Sequence, residues 1–293
     1  MTETRNSAGP WESIAILDAS FFQRPFRLFL RPMSVLLVVT LGSILTGCSG
    51  NRAEAFVHAG DKLEASGNSE QAIEQYNAAI KTDPKSALAF NARGIARAKI
   101  GDREHLDAAI ADFSKAIELN PQLTAAYNNR GLATSTEGAF RSAVEDFSKA
   151  IELGPNEGDP YYNRGLAWNS LGECKKAIAD FDRAGAINSM DGDAIYSRGL
   201  AWYKLGKLDE ASKDFRLAIV LRPKDPLPCN ALGVIYSTRG KYSEALTYFV
   251  KSTELDPQYA EPHRNAARCL AKLGRQEEAN KESAIAARLP MRR

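Results

Sequence analysis

The stretch that decides the fold runs from Thr124 to Glu157, TAAYNNRGLATSTEGAFRSAVEDFSKAIELGPNE. Its first half places small and apolar residues at helical spacing and stops near Gly138, a residue that takes a positive φ without a Cβ clash. Its second half sets Ala143, Phe147, Ala150 and Ile151 at i, i+4, i+7 and i+8, one apolar face of a second helix ended by Pro155. Two antiparallel helices joined by so short a turn must approach closely, which explains why Gly131 and Ala143 are small. Phe147 supplies the bulk that fills the space around them. The stretch reads as a helical hairpin, helix A followed by helix B.

Outward from this unit the same columns return. Gly60, Gly94, Gly131, Gly165, Gly199 and Gly233 mark helix A, with Ala267 in the seventh place. Ala72, Ala109, Ala143, Ala177, Ala211, Ala245 and Ala279 mark helix B, followed by Tyr76, Phe113, Phe147, Phe181, Phe215, Phe249 and finally Ser283. The period is 34 except between Gly94 and Gly131, where the spacing is 37. Three residues are therefore inserted near Glu104 to Asp107, and the expectation is a longer turn. These columns resemble the tetratricopeptide repeat (TPR) family over about Ala53 to Pro290. The resemblance implies an all-α solenoid of about seven hairpins, wound as a right-handed superhelix with helix A on the concave side. The repeats divide as 53–86, 87–123 with the insertion, 124–157, 158–191, 192–225, 226–259 and 260–293, the last a polar capping unit.

Residues 1–47 lie outside the repeats. Arg24, Arg27 and Arg31 precede an uncharged run from Met33 to Gly47, as in a secretory signal. Leu45-Thr46-Gly47-Cys48 resembles a bacterial lipobox, which implies a lipid on the Cys48 sulfur, followed by a short tether over residues 48–52. In that resemblance Ser49, in place of Asp, implies release to the outer membrane, with the repeats facing the periplasm. Two readings compete: an uncleaved single-pass signal anchor, and a soluble cytoplasmic adaptor with a coincidental N-terminus.

Composition narrows the chemistry. The chain has 293 residues, 44% hydrophobic and 25% charged, as in ordinary folded proteins. Residues 1–47 hold four basic and three acidic side chains, so their removal changes the net charge from +2 to +1. No nucleic-acid partner is expected from that balance. Cys174, Cys229 and Cys269 lack metal-ligand spacing. Cys229 and Cys269 read as small core residues, whereas Cys174 stands beside a turn and is open to solvent or interior. His58, His105 and His263 are scattered, and no nucleophile elbow or phosphate loop occurs, so neither an enzyme, a metal, a cofactor nor a small-molecule substrate is expected.

Polar columns carry the rest. Arg93, Arg130, Arg164 and Arg198 each precede the helix A glycine, and Asp112, Asp146, Asp180 and Asp214 each precede the helix B phenylalanine. The other three units lack both, having Ala59 with Gln75, Leu232 with Tyr248 and Ala266 with Glu282. Joint presence or absence predicts a ladder of ion pairs within or between units; the alternative is independent surface charges.

The TPR resemblance points a partner to helix A. Candidate contacts there are Asn91, Asn128, Tyr162, Asn169, Tyr196, Tyr203, Lys204, Asn230, Arg264 and Arg268, with Tyr162, Tyr196 and Tyr203 as the expected hot spot. Amides bond an extended peptide's backbone and tyrosines supply rigid contact area. The competing reading makes Asn and Tyr packing residues. The functional expectation is a membrane-tethered scaffold for protein or peptide partners in the bacterial envelope, serving cell-wall enzyme recruitment, pilus or outer-membrane assembly. Alternatives are an accessory subunit of a polysaccharide secretion system and a soluble cytoplasmic adaptor.

Overall fold

The computed structural model describes residues 48–188 and 192–290. The signal segment, the Cys48 side chain that would carry lipid, and the tail 291–293 fall outside the described residues. All fourteen helices found there are α-helices. They form two compact units, divided between Leu171 and Gly172.

The first unit contains α1 (Cys48–Ala65), α2 (Ser69–Thr82), α3 (Ala87–Ile100), α4 (Arg103–Leu119), α5 (Thr124–Thr136), α6 (Phe140–Leu153) and α7 (Gly158–Ser170). Three hairpins form there, α1 with α2, α3 with α4 and α5 with α6, and each stacks on the next. The second unit contains α8 (Cys174–Ile187), α9 (Gly192–Lys204), α10 (Leu208–Leu221), α11 (Pro226–Thr238), α12 (Tyr242–Leu255), α13 (Ala260–Lys272) and α14 (Gln276–Arg288). Here α9–α10, α11–α12 and α13–α14 are the hairpins.

The column residues form the core of both units. Ala143, Phe147 and Ala150 on α6 are wholly buried, as are Ala211, Phe215 and Ala218 on α10. The glycine column follows from the ring it faces. A Cβ placed on Gly131 would lie 2.7 Å from Phe147 Cε1, inside contact distance, so the aromatic ring takes the space a side chain would need. In the last hairpin Ser283 stands in the ring's column, and Ala267 stands in the glycine's. The turn glycine has a different cause. Gly138 adopts φ 81°, the left-handed region, as the chain leaves α5 for α6.

The insertion departs from expectation. It lengthens α4 rather than a turn: α4 has 17 residues against 14 in α2, α6, α10 and α12. Asp102 explains the new start, because its carboxylate accepts from the His105 backbone N–H at 2.9 Å and caps the added turn. Leu106 then packs with Ala109 and Phe113, so the extra turn joins the same apolar stripe.

Candidate functional site

The helix A faces are built from two polar systems that also join one hairpin to the next. The first is the arginine column. Arg130 on α5 donates through Nε and Nη2 to Asp146 Oδ2 and Oδ1 on α6, at 2.9 and 2.7 Å. Arg93 grips Asp112 in the same bidentate way at 2.9 and 2.6 Å, and Arg198 grips Asp214 at 2.8 and 2.6 Å. The planar fork of guanidinium matches carboxylate geometry, which makes these pairs short and directional. Asp146 raises the Arg130 pKa through these hydrogen bonds, against the opposing effect of burial. Asp180, the fourth aspartate of the column, is buried as well.

Each arginine has a further nitrogen that reaches backward. Arg93 Nη1 donates to Asn77 Oδ1 at 2.6 Å, Arg130 Nη1 to Ser114 Oγ at 3.1 Å, Arg164 Nη1 to Ser148 Oγ at 3.0 Å and Arg198 Nη1 to Asp182 Oδ1 at 2.6 Å. All four acceptors occupy one column, the residue after the helix B aromatic, in the preceding repeat. The ladder thus fastens hairpin to hairpin as well as helix to helix. The acceptor column is a signal in the sequence that a reading of arginine and aspartate alone misses. Where it holds Arg216 or Val250, the ladder position of the next repeat is Leu232 or Ala266 instead of arginine. Phe90, Tyr127 and Tyr161 complete the arrangement by lying 5.3, 6.0 and 5.9 Å from the guanidinium carbons of Arg93, Arg130 and Arg164.

The second system is made of amides. Asn129 Nδ2 donates to Asn91 Oδ1 at 3.1 Å, Asn163 Nδ2 to Asn128 Oδ1 at 3.0 Å and Asn265 Nδ2 to Asn230 Oδ1 at 3.1 Å. Asn230 in turn donates to the Tyr259 hydroxyl at 3.3 Å. Each of the three amide–amide bonds runs from one helix A to the helix A before it. Asn129, Asn163 and Asn265 were not among the expected contacts. They sit one position C-terminal to that column, and only the stacking offset between adjacent hairpins brings the two columns together.

These bonds correct part of the expected contact set. Asn91, Asn169, Tyr196 and Asn230 are buried, and so are not open contact surface. Tyr196 packs into the α9–α11 core with its ring centroid 5.6 Å from that of Phe215, and this removes it from the expected hot spot. Asn128, Tyr162, Tyr203, Lys204 and Arg264 are half-buried, and Arg268 is exposed. Burial pushes the Tyr203 phenol up and pulls the Lys204 ammonium below its ordinary value. Cys174 is buried, as are Cys229 and Cys269, and none of the three is in a disulfide.

Stacked hairpins with an Arg/Asp ladder and a glycine opposite an aromatic ring define a class, the helical-repeat interaction modules. Tetratricopeptide repeat models match residues 60–101, 128–191 and 226–259. The chain belongs to the tetratricopeptide repeat family. MamA, among solved structures, is similar at 30% identity, covering 56% of this chain and 95% of its own, with a TM-score of 0.52. YrrB, a TPR protein with an unusual peptide-binding site, matches at 24% identity over 64% of this chain and 95% of its own, TM-score 0.54. PilF of Pseudomonas aeruginosa shares the fold at 18% identity, covering 75% of this chain and 99% of its own, TM-score 0.65. No curated protein matches the chain in sequence. As a TPR protein the chain is a protein-interaction scaffold.

Proposed function

We propose that this chain is a membrane-tethered scaffold of the bacterial cell envelope, holding protein partners or extended peptides against its helix A faces. The observation that carries the reading is the division of labour on those faces. Asn91, Asn230 and Tyr196 are consumed by packing, while Asn128 and Tyr162 in the first unit and Tyr203, Arg264 and Arg268 in the second keep accessible surface. Half-buried tyrosines suit the role, because they present large contact area at small entropic cost, and the arginines add charged hydrogen-bond donors. The peptide-binding site of YrrB supports a peptide as the bound form.

The tether rests on Leu45-Thr46-Gly47-Cys48 and on its resemblance to a lipobox. Helix α1 begins at Cys48, so a lipid there would hold the first hairpin close to the outer membrane, on its periplasmic face. Among the described residues no helix is long and apolar enough to cross a membrane. Intact mass of the purified chain tests the anchor: acyl mass on a chain beginning at Cys48 is expected, and Cys48→Ser should shift the protein out of the membrane fraction. An unmodified chain in the soluble fraction overturns the tether. A photoreactive residue at Tyr162 tests the scaffold, with discrete envelope proteins as the expected products.

A further inference from the structure

Helix α10 turns two large apolar side chains to solvent where other repeats keep charge. Two and five positions after the helix B aromatic, α4 carries Lys115 and Glu118 and α6 carries Lys149 and Glu152, joined as ion pairs at 2.7 and 2.8 Å. α10 holds Leu217 and Val220 there, 43% and 73% exposed. In each of the other six repeats at least one of the two positions is charged. Lys213 lies one turn before Leu217, so Lys213, Leu217 and Val220, at i, i+4 and i+7, share one exposed face of the helix.

The same unit contains a groove with the complementary pattern. Its volume is about 600 Å³, and its lining includes Leu246, Thr247, Val250, Lys251 and Glu254 of α12, with Arg275 ahead of α14. The groove originates in the arginine column. Val250 occupies the place of the acceptors Asn77, Ser114, Ser148 and Asp182, and the residue that should send an arginine to it is Ala266. A methyl group thus replaces the guanidinium that would cover Val250, which is 49% exposed. Glu254 differs from its counterparts too: Glu118 and Glu152 are each held by a lysine three residues before, whereas Glu254 makes no ion pair among the described residues. Read toward the N-terminus, Glu254, Val250 and Thr247 have the spacing of Lys213, Leu217 and Val220. Lys251 and Glu254 are the column counterparts of Leu217 and Val220, so ridge and groove open to the same side of the stack.

We propose that this helix B face joins a second copy of the chain, α10 of each copy lying antiparallel in the groove beside α12 of the other. Lys213 then meets Glu254, Leu217 meets Val250, and Val220 meets Thr247 and Leu246. Because ridge and groove share one face, the copy that inserts α10 also receives it, and a twofold axis repeats every contact. Exposed leucine and valine leave water, and a lysine and a glutamate without local partners neutralise each other across the interface. The pairing leaves the helix A faces to other partners and stands apart from the scaffold reading and the tether.

The test uses the full-length chain in neutral detergent. Chains with Leu217→Cys mixed with chains carrying Val250→Cys, under mild oxidation, are expected to give a disulfide-linked dimer that neither gives alone. A chain bearing both substitutions should stop at the dimer, and a ladder of longer species overturns the twofold arrangement. In sedimentation, Lys213→Glu should raise the dimer dissociation constant at least about tenfold, and adding Glu254→Lys should return it to within about threefold of wild type. All four sites are exposed, so the thermal melt should hold. A wild-type chain that stays monomeric up to about 100 μM, or a double exchange no tighter than Lys213→Glu, overturns the proposal. So does a photoreactive residue at Val250 that captures a different protein in place of a second copy.

Discussion

The joints made by hairpins α5–α6 and α11–α12 use the same columns with opposite chemistry. In α5–α6, Arg130 holds Asp146 within the hairpin and Ser114 in the one before. In α11–α12 both members of the pair are gone, replaced by Leu232, wholly buried, and Tyr248. The cation has moved to the preceding helix, where Arg216 donates to the Tyr236 hydroxyl and, at 3.5 Å, to that of Tyr248. Those two rings stack with centroids 5.2 Å apart. A joint can be ionic or aromatic, but its columns change together, because a single charge left in a partly buried site has lost its counterion and its water.

The largest effect should fall on what both joints share. Phe147→Ala and Phe249→Ala each empty a wholly buried ring site, and each should cost about 3–5 kcal/mol, read from urea unfolding. Unequal losses would mean that the two joints differ in more than their polar columns. Next comes the half exchange. Leu232→Arg puts a guanidinium into a closed site facing Tyr248 in place of Asp, and should cost about 3 kcal/mol; adding Tyr248→Asp should return more than half of it. The mirror experiment is milder, because Arg130 retains 27% side-chain exposure. Asp146→Ala should cost about 1.5–3 kcal/mol, with Arg130→Leu recovering part. A single mutant no worse than an exposed substitution would reduce the ladder to surface charges.

Smaller still, Arg216→Ala should cost only about 0.5–1 kcal/mol, since its guanidinium is exposed beside the tyrosine rings. Alkylation gives a local readout. Burial pushes the Cys229 and Cys269 thiols up, so thiolate is scarce and labelling at pH 8 should be slow in the native chain. Leu232→Arg should quicken labelling at both sites, and Asp146→Ala should leave it unchanged. Equal acceleration by both mutations would show that the joints open together.

Much of this was legible in the residues alone. Gly131 against Phe147, and the alanines around them, encode contacts inside one hairpin, and such contacts repeat with the period. Contacts between hairpins were harder to see. Asn129 meets Asn91, 38 positions away, through an offset that is set by stacking, so the outward look of Asn91, Asn230 and Tyr196 on a helical projection concealed their burial. Arg268, expected as a contact from its helix A column, is exposed on α13. Cys174 lies next to a turn, yet packing in the second unit buries it.

The added turn of α4 bears on how this chain tolerates changes of length. Each residue inserted into a helix swings the preceding chain by about 100°, so three bring it back to within about 60° of its former direction. One or two residues beside Glu104 would point the Gly101 turn away from the Leu106, Ala109 and Phe113 stripe, whereas three leave it nearly where it was. Insertions into this repeat obey a kind of reading frame, written in degrees of rotation, and the 37-residue repeat is an insertion that kept it.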